Sequence, residues 1–183
     1  LSSPSSPRIL ELGSGTGLAG LCASALWSTS VTLTDLPVIV PNLAKNVDTN
    51  RPVVEKRGGS LSVQELDWST VRPHHADFDV VLAADPLYST EHPALLAPAV
   101  DGCLAHDEGA RVLVGFPLRD EPTRVMGEEL KDLLSQRGFE LLHHGDEYGF
   151  DDWEVNGERA SVHCWWGIWK RKMEMHNGAD RTI

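Results

Sequence analysis

The sequence predicts an α/β fold, with a seven-stranded, mostly parallel sheet, helices on both faces and an antiparallel last strand. Three observations carry that prediction. Short β-rich apolar runs alternate with longer helical ones through most of the 183 residues, the pattern of a parallel sheet whose crossover helices cover both faces. A turn with glycines at Gly13, Gly15 and Gly17 joins the first strand to the first helix. The last two apolar runs have only a loop, 145–159, between them, so the seventh strand is expected to run antiparallel beside the sixth.

Each element follows from its residues. RILEL, Arg8–Leu12, reads as a short buried strand, and LAGLCASALW, Leu18–Trp27, as a helix. VTLTD at 31–35 is β-rich and ends in an acid. Residues 38–50 read as a helix with Pro37 in its first turn, where the missing N–H is harmless. Gly58-Gly59 punctuates before a third strand at 61–66. FDVVLAA at 78–84 is the fourth, and its apolar density marks burial on both faces. A helix at 93–104, a strand at 111–116, a helix at 123–137 stopped by Gly138, and strands at 139–143 and 161–169 complete the domain. That domain covers 8–169, between a Ser/Pro-rich linker remnant at 1–7 and a basic, polar tail at 170–183.

Composition narrows the partners. The net charge of −11 repels phosphate backbones and argues against nucleic-acid binding, while it favours a basic protein segment. No apolar run approaches the ~20 residues of a membrane span. Cys22, Cys103 and Cys164 form no CxxC pair, so reduced thiols in the cytoplasm, or the nucleus, are expected. The pairs His74-His75 and His143-His144 lack the i, i+4 spacing of a helical metal site, and no metal is expected. A monomer is expected.

Four short motifs fall at the ends of the first four strands. Gly13, Gly15 and Gly17 spell GxGxG directly after Glu11, while Gly15, Gly17 and Gly20 spell GxGxxG two residues late for a strand ending at Leu12. Small residues admit a ligand close to the backbone, and the helix start aims free N–H groups at it; the alternative is a glycine turn with no ligand. Asp35 closes the second strand, where an acid can accept hydrogen bonds from both hydroxyls of a ribose, or else cap the next helix. Asp67-Trp68 after the third strand can read an adenine by its edge and face, or be a surface acid beside a packed indole. Asp85-Pro86-Leu87-Tyr88 after the fourth delivers a carboxylate and a phenol, or else a turn acid and a packed tyrosine.

The order ELGSGTG, TD, LDW and DPLY resembles the class I, seven-β-strand, Rossmann-like methyltransferases that use S-adenosylmethionine. More narrowly, it is similar to the protein-lysine methyltransferase group sharing a (D/E)-x-x-Y motif, some of whose members modify translation elongation factors. The resemblance spans roughly 8–169. It implies S-adenosylmethionine as cofactor, with Glu11, Gly13, Gly15 and Gly17 around its methionine moiety, Asp35 on the ribose, and Asp67 and Trp68 on the adenine. Ser14 and Ala84 belong to the same expected cofactor site. Asp85 and Tyr88 are the expected catalytic pair beside the methyl-transfer channel, and a protein lysine in a basic segment is the expected acceptor.

Lysine chemistry fits that pair. With a pKa of ~10.4, about one lysine in two thousand is neutral at pH 7, a cost of roughly 4.6 kcal/mol. Burial beside a cation lowers that pKa by desolvation and repulsion. An ionised acid too close would keep the amine charged, so Asp85 is assigned to positioning the substrate. Tyr88 can face a cation with its ring, worth about 0.5–2 kcal/mol, and alignment supplies most of the rate. Phe116-Pro117 is expected to border the substrate groove. Tyr148, Asp151, Asp152 and Trp153 make an acidic, aromatic loop that could receive a basic peptide, and Trp165, Trp166 and Trp169 are packing residues. Three other functions compete: a small-molecule methyltransferase, a non-catalytic methyltransferase-like module, and a nicotinamide dehydrogenase resting on the GxGxxG frame. Ser14 and Ser89 lack a histidine context, which argues against a hydrolase.

Overall fold

A computed structural model describes residues 6–72, 78–155 and 158–172. The chain runs β1 (Arg8–Leu12), α1 (Leu18–Trp27), β2 (Ser30–Asp35), α2 (Val40–Lys56), β3 (Ser60–Glu65), a 3-10 turn (Trp68–Thr70), β4 (Val80–Ala84), α3 (His92–Cys103), β5 (Arg111–Pro117), α4 (Glu121–Gln136), β6 (Phe139–Val155) and β7 (Glu158–Arg171). One seven-stranded sheet has the order β3-β2-β1-β4-β5-β7-β6. The first five strands are parallel, and β7 lies antiparallel between β5 and β6. This is the predicted architecture. The strand order reverses between β1 and β4, and in open α/β sheets that crevice is where ligands sit.

Two cores sandwich the sheet. Val31, Leu33 and Leu61 pack with Ala23 of α1 and Leu43, Val47 and Val54 of α2 on one face. On the other, Leu10, Leu12, Val112 and Val114 pack with Leu96 and Val100 of α3 and Leu130 and Leu134 of α4. Successive β4 residues alternate between them: Val81 and Ala83 join the second core, Leu82 the first. A strand that must satisfy both faces has to be apolar throughout, which is why FDVVLAA reads as it does.

Two expectations need correction. Helix α2 begins at Val40 rather than 38, with Pro41 in its first turn, and continues through Pro52 to Lys56. Pro37 instead lies in the turn in which the N–H groups of Ile39 and Val40 donate to Leu36 O. The extra length buries Val54 against β3, and that burial outweighs the backbone bond Pro52 cannot make. The expected loop at 145–159 is largely strand. β6 and β7 form one long hairpin whose pairing runs from Phe139–Arg171 out to Val155–Glu158, with a register shift between Leu141 and His143. Glycine and acidic residues obscure the period of two, but the antiparallel partner supplies the ladder; the Tyr148 ring stacks on His163 at 4.8 Å, and Asp146 meets His163 at 2.7 Å. Strand β7 also takes Lys170 and Arg171 from the expected tail. Arg171 reaches back to Asp101 on α3. Residues 1–5, 173–183, His74 and His75 lie outside the described residues, as do the side chains of Asp151, Asp152 and Trp153.

Candidate functional site

The turn after β1 is fixed before any ligand is considered. Gly13, Gly15 and Gly17 have φ of 68°, 55° and 86°, a region costly for side chains other than Gly, Asn and Asp. Ser14 is the pin: its N–H donates to Thr34 O (2.9 Å) and its Oγ accepts from Thr34 N (3.0 Å). Thr34 Oγ1 in turn donates to Glu11 O at 2.6 Å. Asp35 stands across the turn, accepting from Gly15 N and from Leu36 N, each at 2.7 Å. It does not cap α2, whose N-cap is Ile39.

The glycines do different work. A Cβ on Gly13 would lie 2.8 Å from the Trp68 ring, one on Gly17 would strike Leu43 and Leu33, and one on Gly15 would meet nothing within 4 Å. Gly17 therefore answers to packing, and Gly15 faces open space. Gly20, the last glycine of the GxGxxG frame, makes room for a carboxylate: a Cβ there would lie 2.6 Å from Glu11 Oε2.

Glu11 is 1% exposed, and its Oε2 has no hydrogen-bond partner among the described residues. Burial pushes its pKa from 4.5 up to about 7, against hydrogen bonds from Ser14 and Gly20 that pull it down. An unpartnered buried carboxylate oxygen is expensive unless a donor or cation joins it.

Above these residues opens a cleft of about 1010 Å³, ample for a nucleoside-sized ligand. It is lined by Glu11, Gly13, Ser14, Gly15 and Asp35 around the first turn, by Asp67 and Trp68 after β3, and by Ala84, Asp85 and Tyr88 at the end of β4. Thus ten of the expected site residues converge from four strand ends, and Gly17 alone is set back from the lining. Asp67 is half-buried and accepts from Ser69 N at 2.8 Å; bonds from Ser69 hold its pKa low. Trp68 meets His92 edge-on at 5.5 Å. Phe116, expected at the groove, is instead buried in the second core, against Trp165, because strand alternation turns it away from the cleft.

After Ala84, β4 breaks into a left-handed residue, Asp85 with φ 53°, held by Asp85 N donating to Gly115 O at 2.7 Å. That bend aims the carboxylate across the top of β5. Tyr88 Oη donates to Asp85 Oδ2 at 2.6 Å. Arg119, which sequence reasoning missed, grips the same carboxylate with both arms, Nη1 to Oδ1 at 2.9 Å and Nη2 to Oδ2 at 2.6 Å. Its guanidinium carbon also lies 5.6 Å from the Tyr88 ring centroid. Burial raises the Asp85 pKa, but the Arg119 and Tyr88 bonds outweigh it and hold it below the usual carboxylate range. Burial and the bond to Asp85 raise that of Tyr88. His92 was also missed; its Nδ1 lies 2.8 Å from Pro86 O and 3.2 Å from Tyr88 N. The signal for Arg119 was positional: LRD follows β5 as DPLY follows β4, on adjacent parallel strands.

The residues fit S-adenosylmethionine. A buried acid with a free oxygen suits its cationic end, Asp35 a ribose, and the exposed side of Trp68 an adenine. Among the described residues, no group of three His, Cys, Asp or Glu side chains could hold a metal ion, and no helix is long and apolar enough to cross a membrane.

Comparison with known proteins agrees. The sequence pattern of a family described as lysine methyltransferase matches residues 2–131. The chain is 33% identical over 159 residues to protein-lysine N-methyltransferase EFM2 of Saccharomyces cerevisiae, covering 80% of this chain and 36% of that protein. It is 34% identical over 170 residues to protein-lysine N-methyltransferase rrg1 of Schizosaccharomyces pombe, covering 88% and 53%. The chain thus spans about a third to a half of these relatives' lengths. In fold it matches the crystal structure of an S-adenosylmethionine-dependent methyltransferase from Methanosarcina mazei, with a TM-score of 0.69 at 16% identity over 94% of this chain and 95% of the other.

Proposed function

This chain belongs to the lysine methyltransferase family, and from that premise we propose that it transfers a methyl group from S-adenosylmethionine to the ε-amine of a protein lysine. The observation that supports the reading is that Asp85 and Tyr88 line the same cleft as the glycine turn. When bound, the cofactor supplies an electrophilic methyl on a cationic sulfur. Glu11, Gly13, Ser14, Gly15, Asp35, Asp67, Trp68 and Ala84 hold and orient it. Gly17 acts by shaping the turn.

The catalytic pair is Asp85 and Tyr88. Tyr88 presents its ring and phenol at the entrance, 69% exposed, where a lysine stem can lie against it. Asp85 fixes the phenol and orients the incoming amine. The lysine must lose its proton, and desolvation in the cleft drives that loss. The acceptor is a lysine in a basic segment, attracted by the net charge of −11. Tyr148 and Phe150, exposed on β6, share a strand face with Asp146, a surface suited to such a segment. The enzyme acts as a cytoplasmic monomer.

The test incubates the whole protein with methyl-labelled S-adenosylmethionine and a cell lysate. Label on a protein band, recovered after hydrolysis as methyl-lysine, is the expected result. Label confined to the small-molecule fraction would make the enzyme a small-molecule methyltransferase and overturn the reading.

A further inference from the structure

Asp85 raises a difficulty for lysine chemistry: a free carboxylate beside the acceptor would hold the amine in its unreactive charged form. We propose that Arg119 is a positioning residue that neutralises Asp85, so that the acceptor lysine meets a compensated ion pair and loses its proton within the cleft. This rests on the lysine reading above.

The geometry is specific. Both Asp85 oxygens are gripped by Arg119, and one also takes the Tyr88 hydroxyl. Oδ1, which takes only the one bond from Arg119, retains a lone pair that can orient an amine, but the pair as a whole carries no net charge. The guanidinium is fit for this because it does not deprotonate, and Asp85 drives its already high pKa higher. It is carried by the β5–α4 connection, where Leu118 N donates to His163 O (2.7 Å) and so ties the segment to β7.

Other charged groups around the pair have partners of their own. Asp120, next to Arg119, caps α4 by accepting from Thr123 N at 2.8 Å. His163 of β7 pairs with Asp146 of β6. His92 of α3 contacts Pro86 O. Glu11, Asp35 and Asp67 line the other parts of the cleft. Among the described residues, Arg119 is thus the cation that answers Asp85.

The experiment follows kcat from pH 6 to 10 with the whole protein, using as acceptor, at saturation, the protein labelled in the lysate assay. For kcat, the acidic limb reports the amine within the complex. Arg119→Met is expected to move the midpoint of that limb up by about 1–3 pH units and to lower kcat at pH 7 at least tenfold, with S-adenosylmethionine affinity unchanged. Arg119→Gln, which keeps a hydrogen bond but no charge, should give the same shift, and Arg119→Lys should restore most of the original profile. An unmoved midpoint in both neutral variants overturns the inference, as does a downward move or a gain in kcat at pH 7, which would make Arg119 a plug. Absence of any methyl-lysine from the wild-type reaction instead overturns the lysine reading itself, so the two failures are distinct.

Discussion

Replacing Glu11 by glutamine should stabilise the ligand-free protein at neutral to alkaline pH. The Glu11 carboxyl is buried, its Oε2 is unpartnered, and its pKa rises from 4.5 to about 7. A folded-state pKa above the unfolded one means that the stability carried by the protonated form is complete below about 4.5 and is lost as pH rises through about 7. At 1.36 kcal/mol per unit, the shift is worth about 3 kcal/mol at pH 8 and about 1 kcal/mol at pH 5. Glutamine has the same shape and no charge to desolvate. Urea unfolding at pH 5 and pH 8, without cofactor, should therefore show Glu11→Gln gaining about 2 kcal/mol more over the wild type at the higher pH. The same variant should lose affinity for S-adenosylmethionine, because the free oxygen no longer offers a charge to the cationic ligand, and wild-type affinity should rise with pH through about 7. Parallel stability curves for the two proteins would refute the claim that this carboxylate is held in the fold at a cost that the ligand relieves.

Three further outcomes are expected. Gly13→Val should cost at least tenfold in S-adenosylmethionine affinity by calorimetry, because its Cβ lies 2.8 Å from the Trp68 ring at a φ of 68° and must displace the ring; normal binding would show that the pocket lies elsewhere. Asp85→Ala should leave that affinity within about twofold and reduce kcat about 100-fold, since Asp85 is assigned to the acceptor; equal losses in both would place it on the cofactor instead. Gly127→Ala on α4 should destabilise the fold by about 1–3 kcal/mol in denaturant titration without altering the pH profile of turnover, because its methyl would press on Phe116 at 2.5 Å.

Much of this protein is written in its local pattern. Burial on both faces requires an unbroken apolar β4, and positive φ after β1 requires glycines at Gly13, Gly15 and Gly17, so strand identity and the parallel core were legible from spacing, while the candidate site at the strand ends came from four motifs and the family they resemble. The long β6–β7 hairpin was not, because its outer half is ordered by cross-strand pairs such as Tyr148 with His163, residues 15 positions apart that form no local signature. The purpose of Gly20 was equally hidden: from the first turn of α1 it makes room for the Glu11 carboxylate at the end of β1. Arg119 and Asp85 are separated by 34 residues and meet because β4 and β5 are parallel neighbours that deliver both to the same edge. Periodicity and glycine punctuation are encoded over a few residues, so the chain itself announces them; a charge pair across two strand ends exists only once the sheet has set their register, so tertiary structure alone decided it.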